Sequence, residues 1–174
     1  KKKTNQVLVS IFVNPTQFNQ RDDFKTYPRN LKKDINMLKK INVNYLLIPE
    51  FDDIYKSKKD EKIKILKKDN ILCAKFRIGH FEGVLAVINQ FLKRIKVKSI
   101  YLGEKDYQQY YLVKKFVKKN FTTSVVICKT LRDKYYFPYS SRNKLLTKAQ
   151  IKRGRKISFL LNDFKQQFKK NTYN

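Results

Sequence analysis

Tryptophan is absent from this 174-residue chain, histidine occurs once, cysteine twice, and glycine and proline four times each. Each scarcity excludes something. So little glycine and proline rules out collagen-like or low-complexity linker character. Cys73 and Cys128 have neither metal-ligand spacing nor a disulfide framework. They read as free, buried thiols of a reducing compartment, so the expected location is cytoplasmic and no metal site is expected. No apolar run approaches the roughly 18 residues of a membrane span, and no signal peptide precedes the first strand, so no membrane partner is expected. Acids are also few: 14 Asp and Glu stand against 41 Lys and Arg, a formal net charge of +27.

Hydrophobic residues at 41% and aromatics at 14% suffice for a packed core, in one domain or one domain with part of another. The charge admits two readings. A cationic surface suits a nucleic-acid-binding module. The lysines, however, spread over the expected exposed faces of nearly every helix, beside abundant asparagine and isoleucine. That spread favours the imprint of an AT-rich coding sequence, with only non-specific attraction to nucleic acid. Lys1-Lys2-Lys3, leading straight into a strand, reads as the middle of a gene product.

Val7 to Val13 is an apolar, branched run that predicts a buried strand ending at the turn signal Asn14-Pro15. Asn30 suits a helix cap before Leu31, Ile35 and Leu38, and Tyr45 to Ile48 reads as a second strand closed by Pro49. The stretch from Ser57 to Asn70 is dense in lysine, with Ile63-Lys64-Ile65 alternating like a short edge strand. Phe81, Val84, Leu85, Ile88, Phe91, Leu92 and Ile95 form one helical stripe. Ser99 to Leu102 predicts a strand broken by Gly103. Asp106 with Gln109 has the spacing of a capping box opening the next helix. Ser124 to Cys128 predicts a further strand, and Thr147 caps a long final helix. Strands alternating with helices imply a parallel sheet with right-handed crossovers, an α/β fold with helices on both faces.

Ligands in such sheets sit beyond the carboxyl ends of the strands. The residues there are Asn14-Pro15-Thr16-Gln17-Phe18, Gly103-Glu104-Lys105-Asp106-Tyr107-Gln108-Gln109 and Ser140-Ser141-Arg142-Asn143. A fourth segment, Arg77-Ile78-Gly79-His80-Phe81-Glu82-Gly83, holds the only histidine. Three of the four glycines fall in these segments, which marks backbone positions that matter.

These four segments, with Tyr27-Pro28-Arg29 and Asp34 between them, resemble pantothenate synthetases (pantoate–β-alanine ligases) in order and spacing. The resemblance runs from about Val7 to Thr147. It implies a Rossmann-like domain of the nucleotidyltransferase superfamily over residues 1–146, with 147–174 opening a C-terminal domain. It also implies an AMP-forming ligase that condenses pantoate with β-alanine through a pantoyl adenylate, uses Mg-ATP and forms a homodimer. Under it, Gln17 binds pantoate and β-alanine, Gln109 holds pantoate, and Asn14, His80 and Leu131 line the site. Gly103, Glu104, Lys105 and Asp106 meet ATP at a helix N-terminus, while Tyr139, Ser140, Ser141 and Arg142 form a loop facing the triphosphate.

The chain also departs from the family pattern. The family's first strand and His-x-Gly-His segment have no counterpart, so the sheet is expected to lack a central member. Cys73 replaces a glutamate, and Tyr135-Tyr136-Phe137-Pro138-Tyr139 replaces Asp-Gly-Leu-Ala-Leu, which is expected to restrict the loop. His80 at the head of a core helix suits a structural residue as well as a ligand. Three readings therefore stand beside the ligase: an inactive relic, a basic nucleic-acid-binding module, and another nucleotidyltransferase with a different acceptor.

Overall fold

The first two apolar runs pair as the sequence predicts. β1 (Leu8–Ser10) lies parallel to β2 (Tyr45–Leu47), with Val9 opposite Leu46. The ladder is shorter than the run from Val7 to Val13, and it is not the buried strand expected. Leu8 and Ser10 are exposed and Val9 is half-buried, because among the described residues one short partner strand covers it. Beyond it the Ile11 N–H still donates to the Leu47 carbonyl at 2.9 Å, and the chain then turns at Asn14. The structure is a computed structural model that describes residues 6–18, 21–57 and 63–171. Lys1-Lys2-Lys3, the centre of the lysine-dense stretch and the last three residues lie outside them.

Helices α1 (Arg21–Thr26) and α2 (Leu31–Lys40) make the crossover between the paired strands. Asn30 caps α2 as expected, its side chain accepting from the Lys33 N–H at 3.0 Å. The second pair, β3 (Ser99–Gly103) and β4 (Ser124–Cys128), is joined through α6 (Tyr107–Asn120). Among the described residues the sheet is two hydrogen-bonded pairs, not one continuous ladder.

Between the pairs come α3 (Phe51–Ile54), α4 (Cys73–Phe76) and α5 (His80–Arg94). α5 is the hub, because its apolar residues are too numerous for one narrow stripe and several elements share them. Val84, Leu85 and Leu92 pack with Val113 and Val117 of α6, joined by Ile100, Leu102 and Val125 of the strands. On a neighbouring face Ala86 and Val87 pack with Ile54 and Tyr55. The ridge of small and branched side chains lets both neighbours approach closely.

Three further local expectations fail. Ile63 and Ile65 alternate in burial and pack on the core, yet among the described residues they pair with no strand, so the segment is coil without a ladder. Asp106 is the cap residue of α6 but makes no side-chain cap bond. Its backbone, at φ −99 and ψ 58 after a 3-10 turn, is not in the extended geometry that aims a cap at the helix N–H groups. Cys73 and Cys128 are free, as expected, but exposed.

The chain divides into two compact units, Lys1–Leu102 with Asp106–Val126 and Gly103–Lys105 with Ile127–Asn174. The boundary expected at 146/147 falls inside the second unit. There the segment 131–139 packs on α7 (Lys148–Asn171), which Thr147 opens with a reciprocal capping box. The Gln150 N–H donates to Thr147 Oγ1 at 3.2 Å, and the Thr147 N–H to Gln150 Oε1 at 2.8 Å. Gly154 on α7 is a close-approach glycine, since a Cβ there would lie 2.7 Å from the Phe137 ring.

This distribution predicts opposite costs for two leucine truncations. Leu85→Ala, at a position 4% exposed, should cost about 2–5 kcal/mol in urea unfolding. Leu160→Ala, at a position 56% exposed, should stay within about 0.5 kcal/mol. Equal losses would place the core elsewhere.

Candidate functional site

Residues 14–17 emerge from β1 as a single 3-10 turn, Pro15–Gln17, that packs against α5. Proline favours the turn by fixing φ, and Asn14 caps it. The Asn14 side chain is 1% exposed. Its Nδ2 donates to the Tyr55 hydroxyl at 2.9 Å and to the Gly83 carbonyl at 3.1 Å. Its Oδ1 accepts from the Thr16 N–H at 3.2 Å and from Thr16 Oγ1 at 3.0 Å. The turn comes so close to α5 that a Cβ on Gly83 would sit 2.7 Å from the Thr16 carbonyl oxygen. His80 Nδ1 lies 2.6 Å from the Gln17 carbonyl. A carbonyl only accepts, so Nδ1 is the protonated nitrogen. Asn14, Gln17 and His80 are thus brought together, with His80 holding backbone. Gly79 at the head of α5 has φ +81, which only glycine adopts freely.

Gln17 and Gln109 are both half-buried, and among the described residues neither side-chain amide has a partner. Their sequence neighbours are engaged. Gln108 Nε2 donates to the Ile71 carbonyl at 2.7 Å, and its Oε1 accepts the Cys73 N–H at 3.0 Å. That clamp spans Leu72, held at φ +51. Gln109 shares α6 with Gln108, and α6, like the turn of Gln17, packs on α5. Asp106 is exposed, with no partner among the described residues. Phe18, Phe24 and Tyr27 form an edge-to-face cluster, and Arg29 lies 4.3 Å over the Phe24 ring. The Tyr27-Pro28-Arg29 motif thereby folds back on the segment after Gln17.

The second unit carries the remaining expected residues. Gly103, Glu104 and Lys105 are exposed at the end of β3. A Cβ on Gly103 would meet nothing within 4 Å, so the fold itself does not demand glycine there. Glu104 Oε2 accepts the Thr130 N–H at 3.4 Å. Lys105 has no partner among the described residues. Leu131 and Tyr139 are 77% and 65% exposed, and the Tyr139 N–H donates to the Leu131 carbonyl. Between them runs a tight antiparallel reversal closed by the Arg132–Pro138 bridge. Ser140 caps the 3-10 turn Ser141–Leu145 by accepting the Arg142 N–H at 3.3 Å, while Ser141 and Arg142 are exposed. Asn143 Nδ2 donates to the Pro138 carbonyl at 3.0 Å, tying the motif to the reversal.

The reversal is organised by Asp133, a residue the sequence alone did not single out. Its carboxylate accepts the Tyr135 N–H at 2.9 Å, the Phe137 N–H at 3.0 Å and Arg155 Nε of α7 at 2.7 Å. The Arg155 guanidinium also lies 4.9 Å from the centre of the Tyr135 ring. Burial pushes the Asp133 carboxyl up, but the two backbone N–H groups and Arg155 outweigh it and hold it below its ordinary value. Tyr136 at the apex has φ +62, a left-handed backbone at the position where the family pattern carries glycine.

A family model described as pantoate-beta-alanine ligase matches residues 1–174. The chain belongs to the pantoate-beta-alanine ligase family. The pantothenate synthetase of Francisella tularensis subsp. novicida is 44% identical over 163 residues, and that of Francisella philomiragia is 44% identical over the same length. Each alignment covers 92% of this chain and 62% of the relative, so the chain spans under two thirds of their length. A crystal structure of the Francisella tularensis ligase, complexed with beta-gamma ATP and beta-alanine, superposes with a TM-score of 0.85 at 42% identity. It covers 92% of this chain and 62% of that one. The pantothenate synthetase of Thermus thermophilus gives 0.83 at 30% identity, over 88% of this chain and 56% of that one. The fold is therefore the Rossmann-like α/β type of this ligase family, with parallel strands and helices.

Two predictions follow the geometry of the reversal. Tyr136→Gly relieves the left-handed strain and should stabilise the chain by about 1 kcal/mol in urea unfolding; a loss of stability would mean that the tyrosine ring matters more than its backbone. Because the Asp133 pKa is depressed in the folded state, its contribution is fully present above the ordinary carboxylate value of 3.8. That contribution is lost as pH falls through the lower folded value. Amide exchange, corrected for its intrinsic pH dependence, should show Tyr135 and Phe137 losing protection in that acid window, and Asp133→Asn should flatten the change.

Proposed function

We propose that this chain serves ATP-dependent condensation of pantoate with β-alanine to give pantothenate. The observation that carries the reading is the likeness, along 92% of the chain, to a ligase crystallised with a nucleotide and beta-alanine. In the proposed reaction a pantoate carboxylate oxygen attacks the α-phosphorus of Mg-ATP and displaces pyrophosphate. The amine of β-alanine then attacks the acyl carbon of pantoyl adenylate and expels AMP. Neither step needs an acid–base dyad; both need positioning and stabilisation of phosphate charge.

The residues available suit those tasks. Gln17 and Gln109 present amides that donate and accept without adding charge, as a hydroxy acid requires. Lys105 and Arg142 supply positive charge for the phosphates, with Ser140 and Ser141 as hydroxyl donors and Tyr139 and Leu131 as exposed neighbours. Gly103, Glu104 and Asp106 lead into α6, whose N-terminal N–H groups and dipole favour an anion. Mg2+ arrives as part of the nucleotide substrate. The same reading includes a homodimer and a cytoplasmic location, to which two free, exposed thiols are suited in a reducing compartment.

Gln17→Ala should reduce pantoate-dependent AMP formation by at least a hundredfold while leaving the far-ultraviolet circular dichroism unchanged. AMP release at the parental rate in that variant would remove Gln17 from the site. AMP formation that ignores pantoate but responds to another acid would favour a different acceptor.

A further inference from the structure

We infer that Tyr55 and Gly83 make Asn14 a positioning residue, which fixes the turn carrying Gln17 instead of contacting substrate itself. The inference rests on the proposed role of Gln17 as a substrate ligand, but its structural half can be tested without any substrate. A primary amide has four hydrogen-bonding capacities: two N–H donors and two oxygen lone pairs. All four of Asn14 are occupied within the protein, the donors by the Tyr55 hydroxyl and Gly83 carbonyl, the lone pairs by the Thr16 N–H and hydroxyl. At 1% exposure, this amide would have to break one of those bonds to meet a ligand.

The partners themselves are held fast. Tyr55 is 4% exposed, packs with Ile54, Ala86 and Val87, and lies 4.9 Å from the Phe51 ring, so its hydroxyl cannot swing away. Gly83 is built into α5, with no room for a Cβ against Thr16. His80, one turn earlier on that helix, holds the Gln17 carbonyl. The turn is thus gripped at three successive points: the Asn14 side chain, the Thr16 backbone and the Gln17 carbonyl. Only the Gln17 amide is left without a partner among the described residues. Tyr55 acts at one remove, through Asn14, on where that amide sits.

The test is Tyr55→Phe, which removes one oxygen and keeps the packed ring. Hydrogen exchange should become about tenfold faster at the Thr16 and Gln17 amides, the cost of one unmet buried donor spread into the turn. The α5 amides of Val87 and Leu92 should not change, which separates a loosened turn from a loosened core. By calorimetry, pantoate should bind about tenfold more weakly and ATP unchanged. Unaltered exchange at Thr16 and Gln17, or a loosened turn with parental pantoate affinity, overturns the inference. Should the parent chain bind no pantoate while exchange accelerates as stated, the positioning role stands and the substrate reading fails.

Thr16→Val gives a second, near-isosteric test should Tyr55→Phe not fold. It frees one Asn14 lone pair. If Asn14 positions the turn, pantoate binding weakens; if Asn14 touches pantoate directly, the freed oxygen leaves binding equal or tighter, and the inference is wrong.

Discussion

A single buried amide ties together parts of this chain that are far apart in sequence. Asn14 bonds to Tyr55, 41 residues away, and to Gly83, 69 residues away. Leaving such a group unpaired costs about 1–3 kcal/mol per lost partner, a sizeable share of a domain's net stability. The end of β1, the end of α3 and the first turn of α5 are therefore coupled, since displacing any one leaves the amide short of a partner. α5 is the element that all of them need, and its mixture of small and branched residues is what permits three neighbours at once. A polar side chain thus specifies the geometry, while the hydrophobic contacts around it supply most of the driving force.

The second unit uses the same device with a charge in place of an amide. Asp133 gathers two backbone N–H groups and one guanidinium, so an otherwise irregular segment is fixed to α7. In a chain of 41 basic and 14 acidic residues, carboxylates are the scarce partner. Asp69, 8% exposed, is likewise committed, its oxygens 2.6 and 2.9 Å from Lys115 Nζ. Among the described residues most lysines lie on exposed faces, in keeping with a surface written by composition more than by contact.

Much of this was legible in the residues. The four strands were bounded by Asn14-Pro15, Pro49 and Gly103, and α5 by a stripe too regular to be chance. The caps at Asn30 and Thr147 were readable because their partners lie three residues on. Asp106 has the same spacing yet makes no cap, because a local backbone angle decides and spacing does not reveal it. Ile63 and Ile65 show that alternation reports burial, not a ladder. For the site, the motifs singled out Gln17 and Gln109, with Asn14 behind them, but gave no sign that Gln108 would be engaged and its neighbour left open. Neighbouring helix positions point about 100° apart, so one glutamine of a pair becomes a clamp and the other stays open. Tyr55 gave no signal at all among eleven tyrosines, since its importance comes from a partner 41 residues earlier.

Tyr136 shows how a tight reversal can outlive the residue type that usually permits it. Glycine encodes a left-handed apex by removing a side-chain penalty. Here the penalty is present, and the shape is held from outside by Asp133 and by Arg132, whose guanidinium donates to the Tyr136 carbonyl at 2.8 Å. The apex conformation is over-determined: two separate sets of residues can each specify it. A shape with duplicate instructions can exchange one set for the other by single substitutions without ever being lost. Its cost in strain stays invisible until the remaining instruction is also changed.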